Sequence, residues 1–244
     1  HVKTDISFSV NTDRQKYCIP YNSLFIFKYI GASKVQIIAI ASQKGGSGKS
    51  TIAIHLAALA VARGRKTLLA DMDRHSQTST EWGKQRKISK PLVAPVPLNK
   101  LSAMLSQAEE KSFDTVVLDL PPYVDDVVQL VTEKADITLV PCRPSFADLR
   151  TLPRVLKQIH KPYFVVLNAC PPGYSGQEGS KTSEARRVLV KNNILVCPIS
   201  VTQRVAFTDA LNGGEAVNEF DPSSKASFEI EKLLNWVDNE TQKQ

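Results

Sequence analysis

One stretch, IASQKGGSGKSTIAIHLA from Ile40 to Ala57, restricts the fold more than any other part of the chain. An apolar run ends at Ala41, a glycine-rich turn follows, and a helical pattern opens at Lys49. Gly45, Gly46 and Gly48 have no Cβ, so backbone N–H groups can close around phosphate oxygens, and the start of the helix adds its positive end. The ordinary phosphate loop reads G-x-x-x-x-G-K-[ST]. Gly48, Lys49 and Ser50 meet its last three positions, Gln43 stands at the first, and a second lysine, Lys44, precedes the glycines. Lys49 is expected to contact the β- and γ-phosphates as a point charge, and the Ser50 hydroxyl to ligate Mg²⁺.

Such a loop must join a strand to a helix, and the rest of the chain repeats that unit. From Val35 onward the apolar runs VQIIAIA, KTLLA, TVVLDL, ITLVP, YFVVLN and ILVCPI alternate with amphipathic stretches of helix length. This pattern predicts an α/β fold, a mostly parallel twisted sheet with helices on both faces. The first helix is expected from about Lys49 to Arg63, with Ile52, Leu56, Leu59 and Ala60 on its apolar side and Gly64 as a left-handed cap. His55, inside it, reads as a packed or surface residue. KPLVAPVPLNK and CPPGYSGQEGSKT read as loops. Residues 34–244 are expected to form one domain, and residues 1–33 an N-terminal extension of unknown role.

Two further segments supply carboxylates. In FDTVVLDLPP, Asp119 ends a hydrophobic strand and can join Ser50 on a hard cation. Pro121 and Pro122 stop that strand, so the segment beyond can respond to a γ-phosphate as a switch. In KTLLADMDRHSQTSTEW, Asp71 and Asp73 fall on one side if the strand continues through them. One would then support the site while the other positions the attacking water.

Composition adds bounds. A formal charge of +7 makes the chain attractive to polyanions. No run of eighteen or more apolar residues occurs and the N-terminus lacks a signal pattern, so a cytoplasmic chain without membrane insertion is expected. Cys18, Cys142, Cys170 and Cys197 are scattered singly, with no C-x-x-C pair, and read as reduced, mostly buried thiols.

Lys44-Gly45-Gly46-Ser47-Gly48-Lys49-Ser50-Thr51 matches K-G-G-x-G-K-[ST]-[ST]. In this the chain resembles the ParA/MinD family of deviant Walker-A P-loop ATPases, from about Lys34 to near Val237, and most of all its small plasmid-partition branch. The resemblance implies ATP and Mg²⁺ as cofactors, slow partner-stimulated hydrolysis, and a nucleotide-sandwich homodimer in which Lys44 reaches the phosphates held by the other subunit. A cation supplied in this way would offset the repulsion of two facing triphosphates. It assigns water activation to Asp73, in a segment where Arg74 replaces a common proline, and adenine contact to Asn168. The C-terminal PISVTQRVAFTDALNGGEAVNEFDPSSKASFEIEKL implies nonspecific DNA binding, hence nucleoid association, through Arg204, with Arg186, Arg187, Lys191 and Lys225 as further candidates. It also implies a ParB-type centromere-binding protein or another cargo adaptor as partner.

Three other uses of this fold have their own sequence requirements. A MinD-like membrane-associated regulator needs a basic amphipathic C-terminal helix. FEIEKLLNWVDNETQKQ sets Glu229, Glu231, Asp238 and Glu240 beside Phe228, Ile230, Leu233, Leu234 and Val237, so packing against the core is expected. An iron–sulfur reductase needs cysteines at a dimer interface to hold a cluster, and no cysteine follows the Asp119 segment at the expected place. A metabolic ATP-dependent ligase of similar fold would not require Lys44. Within the leading reading, a ParA-like ATPase that positions a non-DNA cargo has the same sequence requirements.

Overall fold

Strands buried on both faces must alternate apolar side chains between two cores, and β3 (Gln36–Ile40) does so. Ile37 and Ala39 enter one cluster, Ile38 and Ile40 the other. The computed structural model describes residues 20, 21, 24, 25, 34–122, 125–174 and 177–243. The chain divides into two units, His1–Lys34 and Val35–Gln244. In the first, β1 (Pro20–Tyr21) pairs antiparallel with β2 (Leu24–Phe25). Cys18 lies outside the described residues.

In the second unit β3 is joined by β4 (Thr67–Asp71), β5 (Leu92–Pro95), β6 (Thr115–Asp119), β7 (Ile137–Cys142) and β8 (Tyr163–Leu167). Their order is β5-β4-β6-β3-β7-β8 and every pairing is parallel. All the loops that follow the strands therefore emerge at one rim, where open α/β sheets bind their ligands. The expected α/β class and parallel sheet are found.

Two strand assignments change. β5 lies inside KPLVAPVPLNK, which the sequence reads as a loop. Its short, half-exposed run pairs with β4 alone and stops at Pro95, as edge strands do. ILVCPI, expected as a strand, makes only one isolated bridge, Val165 to Val196. Pro198 lacks the N–H that would carry the pairing on, and Leu195 is exposed. The second expected loop is also shorter than its quoted segment, since a helix begins at Ser180.

Nine helices of the described residues connect and cover the sheet. They are α1 (Lys49–Ala62), α2 (Thr78–Gln85), α3 (Leu101–Glu110), α4 (Asp125–Lys134), α5 (Phe146–Leu156), α6 (Ser180–Lys191), α7 (Val205–Asn212), α8 (Val217–Phe220) and α9 (Lys225–Thr241). Instead of the single apolar stripe expected, α1 buries every residue from Ile52 to Ala60, because the sheet and α9 enclose it. Gly64 closes it at φ +80°. Enclosure fixes the axis of the helix on which the glycine loop sits.

α9 supplies one wall of that enclosure. Ile230, Leu233, Leu234 and Val237, spaced i, i+3, i+4, i+7, are fully buried against the α1 side of the sheet. Each such side chain contributes roughly 1.5–3 kcal/mol of burial. The expected packing of the tail holds for these four, whereas Phe228 is exposed. No described helix is long and apolar enough to cross a membrane.

Candidate functional site: a phosphate loop at the sheet rim

The loop after β3 meets side chains from the ends of β4, β6, β7 and β8. Gly46 and Gly48 sit at φ +73° and +94°, and a Cβ on Gly48 would come within 2.1 Å of the Asn168 amide nitrogen. That position therefore requires glycine for both its backbone angle and its space. Lys49, in the first turn of α1, is buried. Burial lowers the pKa of its ammonium, while the charges of Asp119 and Asp73 oppose the shift.

Asp119, at the tip of β6, is almost fully enclosed. Burial pushes its pKa up to about 6, against the hydroxyls of Ser50 and Ser79 and the charge of Lys49. Ser79 Oγ donates to its Oδ2 at 2.8 Å, and its Oδ1 has no well-directed hydrogen-bond partner. A buried carboxylate oxygen left open beside a serine hydroxyl fits a hard divalent cation. Among the described residues no three His, Cys, Asp or Glu side chains group as metal ligands. The remaining ligands of such an ion would come from phosphate and water.

Asp71 and Asp73 part company because β4 stops at Asp71 instead of continuing through both. Asp71 ties α2 to the sheet: its Oδ2 accepts from Thr80 N at 2.8 Å and Thr80 Oγ1 at 2.9 Å, and its Oδ1 from Asp73 N at 3.1 Å. Asp73 turns back on its own loop, accepting from His75 N at 2.9 Å and from Ser76 Oγ at 2.8 Å. Burial alone would raise the Asp73 pKa, but the hydrogen bonds from Ser76 and His75 and the charge of Lys49 outweigh it and hold it low. Arg74 and His75 point outward, and the turn keeps its form through these bonds.

Lys44 Nζ lies 2.6 Å from Asp148 Oδ1 of the same chain. Asn168 donates from Nδ2 to Ser47 O at 2.7 Å. The Ser47 hydroxyl is buried and unpartnered, and Gly45 has open space around it. Thr51 follows Ser50 in the first turn of α1. Beyond Pro122, Tyr123 and Val124 of the expected switch segment lie outside the described residues.

The five candidate DNA contacts divide. Arg204, Arg186 and Lys225 line one cleft of about 730 Å³ together with Lys232. Arg204 is paired with Glu229 at 2.6 Å and Arg186 with Glu178 at 2.7 Å, whereas Lys225 and Lys232 are exposed cations. Arg187 and Lys191 are exposed on α6 and do not line that cleft.

His55 and the three described cysteines stay uncharged near neutral pH. His55 is fully buried, accepts from Val217 N through Nδ1 at 3.2 Å, and has its pKa pushed down to about 3 by burial. Burial pushes the thiols of Cys142 and Cys197 up to about 12 and that of Cys170 to about 11, so they remain protonated.

Three residues to which the sequence reading gave no role belong to the site: Ser79, Arg143 and Asp148. Arg143 follows the end of β7 and donates from Nη2 to Gly46 O at 2.6 Å. A signal for Asp148 exists in Ser145-Phe146-Ala147-Asp148, the S-x-x-[DE] pattern of a helix start. Ser145 caps α5 and donates from Oγ to Asp148 Oδ2 at 2.6 Å. Strand-end position is the signal for Arg143, since a parallel sheet brings all such ends to one rim, whereas Ser79, in the first turn of α2, has no such signal.

Comparison with known proteins identifies the family and the fold. Residues 38–217 match the family described as the CobQ/CobB/MinD/ParA nucleotide binding domain. The maintenance of carboxysome distribution protein A of Halothiobacillus neapolitanus is 27% identical over 224 residues, covering 85% of this chain and 99% of that protein. The chromosome-partitioning ATPase Soj of Thermus thermophilus is 26% identical over 239 residues, covering 84% and 96%. Among solved structures, MinD of Pyrococcus horikoshii complexed with Mg-ADP superposes with a TM-score of 0.65 at 18% identity, covering 84% of this chain and 96% of that one. At that identity the likeness shows the fold.

Proposed function

Because the chain belongs to the CobQ/CobB/MinD/ParA family of nucleotide-binding ATPases, we propose that it is a ParA-type partition ATPase that closes into a dimer around ATP and binds DNA without sequence preference. Slow hydrolysis, stimulated by an adaptor protein bound to the cargo, then releases it. The observation that carries this reading is the pair Lys44 and Lys49 flanking one glycine loop, with Lys49 under the charges of Asp119 and Asp73 and Lys44 at the surface, about half exposed at 48%. One lysine is buried to serve its own phosphate site. The other is free enough to leave Asp148 for a neighbour's.

The residues divide the work. Gly45 to Thr51 cradle the phosphates, and Lys49 holds the β- and γ-phosphates by charge. Ser50 and Asp119 would hold Mg²⁺, which when bound would neutralise phosphate charge. Asp73, kept ionised, accepts a hydrogen bond from the attacking water and orients it toward the γ-phosphorus as the bond to ADP breaks. Asn168, which donates to Ser47 O of the loop, is the side chain this reading assigns to adenine. Lys225 and Lys232, with Arg204 and Arg186 behind them, offer a cationic cleft to a phosphate backbone. Arg187 and Lys191 extend the positive surface along α6.

A non-DNA cargo is the second reading, favoured by the similarity to the carboxysome distribution protein over most of both chains. Membrane attachment through α9 is disfavoured because its apolar face is already buried against the core.

The test combines ATP hydrolysis, with and without nonspecific duplex DNA, and sedimentation in ADP and in ATP for the parent and Lys44→Ala. A parent that dimerises only with ATP, and a variant that cannot hydrolyse it, are expected. A chain that stays monomeric in a non-hydrolysable ATP analogue sinks the proposal.

A further inference from the structure

We infer that Arg143 is a positioning residue for the phosphate loop, holding the Gly46–Ser47 peptide in the orientation that offers an N–H to phosphate. The inference rests on the reading of that loop as a nucleotide site. β7 lies beside β3, with Ile40 opposite Leu139, so the residue that follows β7 emerges at the flank of the loop that follows β3. From there Arg143 Nη2 donates to Gly46 O at 2.6 Å.

The consequence follows from peptide geometry. In a trans peptide the C=O and N–H point to opposite sides of the chain. Fixing Gly46 O toward Arg143 therefore turns the Ser47 N–H away from the arginine, into the loop. The next peptide is held in the same manner from β8, where Asn168 Nδ2 donates to Ser47 O at 2.7 Å and so turns the Gly48 N–H.

Gly46, at φ +73° and without a side chain, has little of its own to resist rotation of this peptide. A flipped peptide would aim a carbonyl oxygen at phosphate and replace an attraction by a repulsion. Arg143 opposes the flip before any ligand arrives. The segment after β7 grips the loop a second time, since Asp148, in the first turn of α5, holds Lys44. The charge of Arg143 also acts on Asp148, so the two grips share one electrostatic environment.

The role separates from direct contact with the γ-phosphate. A residue that only shapes the loop affects ADP and ATP alike, whereas a γ-phosphate ligand affects ATP alone. The test is titration of fluorescent ADP and ATP analogues into the full chain and its Arg143→Ala and Arg143→Lys variants, with thermal unfolding recorded without nucleotide. Removal of a hydrogen bond from a charged donor predicts a loss of roughly tenfold in affinity for both nucleotides in Arg143→Ala. Arg143→Lys, which keeps one charged donor, is expected to recover part of it, and the melting temperature of both variants to stay at the parent's value.

Parental ADP affinity in Arg143→Ala, or a loss confined to ATP, overturns the inference while leaving the nucleotide site intact. An equal loss in both variants with a lowered melting temperature overturns it as well, because the residue would then act on folding. A parent that binds neither nucleotide overturns the nucleotide reading and this inference with it.

Discussion

The ammonium of Lys44 rests 2.6 Å from the carboxylate of Asp148, a residue that the Ser145 cap fixes in the first turn of α5. Although burial opposes it, the Lys44 and Ser145 contacts hold the Asp148 carboxyl below its ordinary range. The pair is thus intact at neutral pH, and a carboxyl with a depressed folded pKa loses its contribution as pH falls through that value. With Lys44 about half exposed, the bond is worth no more than about 1 kcal/mol to stability. That is weak enough for a facing triphosphate to displace it.

Lys44→Ala should therefore lose hydrolysis by about a hundredfold or more while unfolding at nearly the parent's temperature. Asp148→Asn should keep the fold and lower the ATP concentration needed for dimerisation, because it releases the lysine. Analytical sedimentation across an ATP series reads this directly. A higher ATP requirement in Asp148→Asn would show that the aspartate presents the lysine instead of restraining it.

Asp119 governs the pH response of the site. Its folded pKa, raised to about 6 by burial, lies above the ordinary carboxyl value of 3.8. The sign is therefore opposite to that of Asp148: this group disfavours the folded state increasingly as pH rises from about 4 to 6, and by a constant amount above. At pH 8, without nucleotide, Asp119→Asn should stabilise the chain by a few kcal/mol at most, on the order of 1–3. It should also remove the effect of Mg²⁺ on nucleotide affinity. In the parent, that Mg²⁺ effect should fade below about pH 6 as the carboxyl takes up its proton. A Mg²⁺ effect that persists unchanged in Asp119→Asn would take this residue out of the metal site.

Asp73 carries the hydrolytic step in the proposed function, and its neighbours complicate the usual truncation. Asp73→Ala removes the acceptor for His75 N and Ser76 Oγ and loosens the turn as well as the water site. Asp73→Asn keeps an oxygen for the backbone donors but lacks the negative charge. Both should trap the ATP dimer, with hydrolysis reduced about a hundredfold or more and ATP affinity within about threefold of the parent. Stopped turnover with normal nucleotide titration is the expected pattern. Fast turnover in Asp73→Asn would assign the water to another residue.

The sheet and the loop were legible because each rests on local signals. Runs such as TVVLDL are apolar at successive positions, as only a doubly buried strand requires, and KGGSGKST fixes a strand-to-helix turn by its glycines. LVAP was hidden because a four-residue edge strand bracketed by prolines has loop composition, and its pairing with β4 is a property of the sheet. ILVCPI misled in the opposite direction, since its apolar content serves packing beside β8 and its proline ends the pairing after one bridge. Arg143 and Asp148 lie roughly 100 residues along the chain from the loop they hold, as the separation of 97 between Arg143 and Gly46 shows. No local pattern encodes that contact; the β3–β7 pairing does.

The cleft lined by Arg204, Arg186, Lys225 and Lys232 decides how DNA binding should be probed. Arg204→Glu would set a new carboxylate against Glu229, its present partner at 2.6 Å, so a loss of binding in that variant could report a disturbed fold. Lys225, the first residue of α9, and Lys232, two turns further along it, are exposed, and reversing them leaves both ion pairs intact. The double variant Lys225→Glu, Lys232→Glu should weaken binding to nonspecific duplex DNA while nucleotide affinity and melting temperature stay at the parent's values. If each lysine meets one phosphate, the slope of log affinity against log salt should become shallower by roughly 0.9 for each, or about 1.8 for the pair. Fluorescence anisotropy of a labelled duplex over a salt series measures affinity and slope together. An unchanged slope would move DNA off this cleft and toward the Arg187 and Lys191 face of α6.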